Sequence, residues 1–188
     1  MQVKRAFAGL TLAVVTGGCL PASIHPLYES NADLASAPEL VGTWANEATN
    51  EFLLVHQDKD AQYQALVVEG GEADSGSLQL RLVRCGGELF WDVSATRSED
   101  AEGYYSAHLL PLHSFALVRL GGNQLEIAGL DQDWWKARLE SGAIPLAFEM
   151  LEDRLLFTAS PPELCSELGR HVGDPDAFSK ADRYRRLS

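Results

Sequence analysis

The sequence predicts a mainly β domain (α+β): an antiparallel barrel or half-barrel with one mid-chain helix and two short C-terminal helices. Three observations lead there. Two Gly-rich turns each join flanking runs whose side chains match across the turn. Roughly eight to nine short strands follow one another in meander order, within the size of a small barrel. Helix signals appear only after Asp131.

The strands begin after Leu40. Phe52 to His56 is the first clear apolar run, and Gln62 to Glu69 is the next. A loop rich in Gly, Asp and Ser is expected over Gly70 to Ser77. Leu78 to Cys85 and Glu88 to Ser94 then flank Gly86-Gly87, a two-residue hairpin signal. Folding on those glycines sets Leu82 opposite Trp91, Leu80 opposite Val93 and Arg81 opposite Asp92. Apolar meets apolar on one face and opposite charges meet on the other. Cys85 falls on the face away from Leu80 and Leu82.

Leu110 to Leu120 and Gln124 to Ala128 make a second hairpin. A Gly122-Asn123 loop sets Leu120 opposite Leu125, Val118 opposite Ile127 and Arg119 opposite Glu126. A loop at Gly121-Gly122 would set Leu117 against Glu126, so the first register is preferred. Pro111 lacks an N–H and marks an edge, a bend or a bulge.

Asp131 caps a helix to about Glu140, with Gly142 as its stop. Ile144 to Leu151 and Arg154 to Thr158 read as strands around Glu152-Asp153. Ser160-Pro161-Pro162-Glu163 is a capping box with Pro at the first helical position, opening a helix that stops near Gly169. Asp174-Pro175 is expected to start a last helix ending in Arg183, Arg185 and Arg186.

The first 19 residues differ from all of this. Lys4 and Arg5 precede an apolar run, Ala6 to Val15, too short to span a bilayer. Thr16-Gly17-Gly18 places small residues before Cys19. The arrangement resembles a bacterial lipoprotein signal, with Thr16 where Leu is usual. The resemblance implies cleavage of residues 1–18 and acylation of Cys19, anchoring the chain to a membrane. Leu20 after the cysteine resembles the outer-membrane class. Residues 19–39, with Pro21, Pro26 and Pro38, are expected as a tether that would span roughly 25 Å if flexible. The Ile24 to Tyr28 cluster either docks a partner or packs on the domain. Residues 40–188 form the domain.

Leu40-Val41-Gly42-Thr43-Trp44 resembles the Gly-x-Trp opening of lipocalins and lipocalin-like bacterial domains. There the tryptophan closes one barrel end and the interior holds an apolar ligand. The later Thr-Asp-Tyr signature of lipocalins is missing, and a helix near Asp131 interrupts the strand series.

Formal charge is −12, and removing Lys4 and Arg5 takes −12 to −14. This argues against nucleic-acid binding. With Cys19 assigned to lipid, Cys85 and Cys165 remain. In an exported chain they either bridge one another or sit as separate buried thiols. No spacing fits a metal, a nucleophile elbow or a phosphate loop. No cofactor is expected. His108 and His113 lie on one expected strand at odd spacing and so point to opposite faces. A hydrolase reading would rest on one of them with an acidic partner. Trp134-Trp135 is either a ligand platform or packing, with one ring expected inward and the other at a rim. The expected function is non-catalytic binding of an apolar ligand or an envelope partner. The ligand-binding candidates are Trp44, Trp91, Leu110, Leu112, Trp134 and Trp135. The alternative is a structural or assembly lipoprotein acting through surface contacts.

Overall fold

The computed structural model describes residues 20–58, 62–69, 72–95 and 111–187. Residues 1–18, expected as a signal peptide, and Cys19, His108 and Leu110 lie outside the described residues. The strands in chain order are β1 (Ala22–Ser23), β2 (Gly42–Asn46), β3 (Glu51–Gln57), β4 (Gln62–Glu69), β5 (Glu72–Cys85), β6 (Glu88–Ala95), β7 (His113–Gly121) and β8 (Gln124–Gly129). Helix α1 (Gln132–Glu140), β9 (Phe148–Leu151), β10 (Arg154–Phe157), helix α2 (Pro161–Arg170) and β11 (Asp182–Arg186) complete the chain.

Eight strands close an antiparallel barrel in the order β2-β3-β4-β5-β6-β7-β8-β11, with β11 pairing back to β2 and β6 pairing with β7. This is the lipocalin-like barrel expected. Beyond β7 the sheet continues outside the ring as β1-β10-β9, with β1 parallel to β10. Both hairpins have the expected registers: Leu80 faces Val93, Leu82 faces Trp91, Val118 faces Ile127 and Leu120 faces Leu125. Gly86 and Gly122 sit at φ +62 and +59, the left-handed region these turns demand.

Two apolar cores share the same walls. Inside the barrel, Trp44, Leu53, Tyr63, Leu80, Leu82, Trp91, Leu125 and Tyr184 pack together. On the outer face of β5–β8, Val83, Phe90, Phe115 and Leu117 meet α1, α2 and the β9–β10 hairpin through Trp135, Leu155, Phe157, Leu164 and Leu168. Strands β5 to β8 are therefore apolar on both faces. One end of the barrel is plugged by the turn at Pro38–Leu40: Ala37 N donates to Tyr63 Oη at 2.8 Å, and Trp44 Nε1 donates to Leu40 O at 2.9 Å. The Arg186 guanidinium caps the Trp44 ring at 4.7 Å. Trp44 thus stands at a closed end of the barrel.

Four expectations are corrected. Residues 20–39 are not a free tether. Ala22 and Ser23 are buried in the sheet, Leu27 and Ala37 are buried, and Ala35 N donates to Leu82 O at 2.8 Å. Apolar burial outweighs the chain entropy that the prolines already reduce. The expected C-terminal helix is instead β11. Two unpaired strand edges, on β2 and β8, accept it, and its period-two pattern sends Tyr184 inward and leaves Arg183 and Arg185 exposed. The Gly70–Ser77 loop is shorter than expected, because β5 already begins at Glu72. The strand expected from Ile144 begins only at Phe148, since Ile144 and Leu146 are spent on the outer core.

Cys85 and Cys165 are disulfide-bonded, with Cα atoms 5.0 Å apart and a sequence separation of 80. A loop of that length corresponds to about 4–5 kcal/mol in the chain-entropy model. One helical turn after Cys165, Gly169 lies against Gly86. The tip of the β5–β6 hairpin is thus held to α2 by a covalent bond and by glycine-on-glycine backbone contact. Alanine inside a helix ordinarily adds about 1 kcal/mol over glycine. Here the new Cβ would lie 2.6 Å from Gly86 N and 2.8 Å from the Cys85 carbonyl carbon. Gly169→Ala is expected to lower the unfolding free energy by about 1–3 kcal/mol. Urea unfolding checks this, and an unchanged or raised midpoint would contradict the contact.

Candidate functional site

The tryptophan candidates are all packed. Trp44 is fully buried in the lumen. Trp91 faces the lumen from β6 at 3% exposure, and its Nε1 is buried without a partner. Trp134 and Trp135 are both buried, so neither forms the expected rim. Their rings meet edge to face at 5.1 Å, and His171 lies 5.1 and 5.6 Å from the two. Trp135 Nε1 donates to Ala177 O, and the Arg138 guanidinium covers Trp134 at 3.8 Å. This cluster fastens α1 to the turn after α2. Leu112 is half-buried just before β7.

The lumen is occupied by side chains across its middle. Trp44, Tyr63, Leu82, Ala116 and Leu125 have 0% exposure, so no water-sized void adjoins them. The section they line holds no space for a ligand without rearrangement.

Two polar constellations lie on the barrel wall. On the outer face, His113 of β7 and Asp92 of β6 meet with Nδ1 and Oδ1 2.5 Å apart. The Asp92 side chain is 1% exposed and that of His113 is 12% exposed. The second carboxylate oxygen accepts from Leu27 N at 2.7 Å. The expected opposition of Arg81 and Asp92 holds in register. The guanidinium, however, turns aside and donates to Gln62 Oε1 at 2.9 Å. Burial and the nearby Asp92 carboxylate push the Tyr28 phenol up from its ordinary value, against a smaller opposing effect of Arg81. The hydrolase reading needs a carboxylate in reach of His113, and Asp92 supplies one. Yet Asp92 spends its second oxygen tying the 24–28 segment to the barrel wall. This geometry is that of a clamp.

In the sequence Asp92 reads as half of a charge pair with Arg81, with nothing to connect it to Leu27 or Tyr28. A signal was available: Asp92 interrupts the apolar run Phe90 to Val93, where an acid must find buried partners.

The second constellation is an open groove of about 760 Å³ over β11, lined by Asn46, Thr49, Glu126, Lys180, Asp182 and Tyr184 among others. Tyr184 Oη donates to the buried Glu51 at 2.6 Å. Burial, reinforced by that carboxylate, pushes the phenol far above its ordinary value. Burial also raises the Asp182 carboxyl, partly offset by Lys180. At the rim, Arg183 pairs with Glu126 at 2.9 Å and Arg185 with Glu47 at 2.6 Å. Both arginines are exposed, so these pairs add little stability. Cation and anion are matched here, and no group of three metal-ligating side chains occurs among the described residues.

Asp92→Ala would leave Leu27 N–H and the His113 ring without their acceptor. A loss of about 3 kcal/mol is expected in urea unfolding, together with faster exchange of the Leu27 amide. Unchanged stability would show that the clamp carries no energy. No protein-family model matches the chain, and no curated protein or solved structure matches it either.

Proposed function

We propose that this chain is a lipid-anchored protein of the bacterial envelope, held at the outer membrane by acyl chains on Cys19, which acts without catalysis through contact with an envelope partner. The observation that carries the choice of a partner over a ligand is the packing across the middle of the lumen. The side chains that would have lined an apolar pocket, Trp44, Tyr63, Leu82 and Leu125, are all at 0% exposure. Export is supported by the Cys85–Cys165 bond, since disulfides persist in oxidising compartments. Attachment by lipid is supported by the lipobox-like Thr16-Gly17-Gly18-Cys19 and by the acidic charge, which disfavours adsorption to an anionic bilayer.

Radiolabelled palmitate fed to the native cells is expected to enter the protein. Cys19→Ser is expected to abolish the label and move the protein from the membrane to the soluble fraction. A wild-type chain that stays unlabelled, beside a lipoprotein that takes up label in the same cells, would end this reading.

A further inference from the structure

The described chain starts inside the fold. The Leu20 side chain packs on β8, its Cδ2 3.4 Å from where a Cβ on Gly129 would stand. Pro21, Ala22 and Ser23 are buried, and β1 is fixed in parallel register with β10 through Ala22–Leu156 and Ser23–Phe157. Running that register back two residues brings Leu20 level with Arg154, the first residue after the Glu152-Asp153 turn of the β9–β10 hairpin. Cys19 is joined to Leu20 by one peptide bond, which places consecutive Cα atoms about 3.8 Å apart. Beside this point Leu151 is 59% exposed, the most exposed large apolar side chain among the described residues. Gln132 braces the turn: its Nε2 donates to Asp153 O and its Oε1 accepts from Leu155 N.

We propose that the domain is held flush against the phospholipid bilayer in one orientation, with the β9–β10 turn and the start of α1 facing the headgroups. The inference rests on the lipid-anchor reading. Orientation comes from where the anchored residue joins the fold, because a buried segment replaces the slack that a tether would supply. Charge does not set it, since Glu152 and Asp153 are acidic like the chain as a whole. Leu151 is the apolar side chain placed to enter the interface. The β7–β8 turn at Asn123 lies at the far end of β8 from Gly129, about 20 Å along the strand.

The test uses the full-length chain, acylated in its native host and reconstituted in phosphatidylcholine vesicles containing a headgroup-spin-labelled lipid. One variant, Leu151→Cys, and another, Asn123→Cys, each carry a thiol-reactive fluorophore while Cys85 and Cys165 stay bridged. Several-fold stronger quenching at position 151 than at position 123 is expected. An insert of about 20 Gly/Ser residues between Cys19 and Leu20, spanning roughly 25 Å, is expected to remove the difference. Equal quenching at the two positions in chains that do incorporate palmitate would overturn the fixed orientation and leave the anchor standing. Absence of palmitate would overturn both.

Discussion

The return of the C-terminal strand is the constraint on which the rest depends. Five residues, Asp182–Arg186, pair with β8 on one side and β2 on the other. Without them the meander is an open sheet with two unpaired edges, each a template for association with other chains. With them the ring closes and Tyr184 enters the lumen as the strand's one buried residue. Its hydroxyl reaches Glu51, a carboxylate at 2% exposure on β3. Closing the barrel therefore fills it and satisfies a buried acid at once. Arg186 then covers Trp44 at the plugged end.

Closure alone does not explain why helices intervene before the last strand. The outer faces of β5 to β8 are as apolar as their inner faces, and a sheet cannot leave Phe90, Phe115 and Leu117 in water. The chain between β8 and β11 covers them, with α1, the β9–β10 hairpin and α2. Residues 24–36 add to that cover and are held by Asp92 through Leu27. The disulfide at Cys85–Cys165 and the Gly86–Gly169 contact fix the cover to a hairpin tip. This two-sided use of four strands packs side chains on both faces of the same wall, inside the barrel and beneath its cover.

Local features were legible in the sequence. Both hairpin registers follow from a glycine turn and from matching side chains within about ten residues, so no distant information was needed. The caps at Asp131 and Ser160 are equally local, and both are present: Asp131 Oδ1 accepts from Trp134 N, and Glu163 Oε2 accepts from Ser160 N and Oγ. Those donors hold the Glu163 carboxyl below its ordinary range. Decisions that depend on distant strands were not legible. Asp182 to Arg186 is rich in arginine and reads as a helix end, until two waiting edges impose a strand. Proline and small residues made 20–39 read as a tether, although Leu27 and Ala37 were destined for two different cores. Asp92 has Arg81 opposite it on β5, but His113 on a third strand takes its place. The tryptophan candidates were found as bulky anchors; their burial could not be distinguished from a binding role without knowing what covers them.

Asp182–Arg186 is an integral strand of a closed barrel. Residue-resolved hydrogen exchange of the native protein tests it most directly. The amides of β11 which pair with β8 and β2 are expected to exchange as slowly as those in the middle of β5 and β6, through global unfolding. Exchange of β11 at the rate of an unstructured chain, with β5 and β6 still protected, would contradict it.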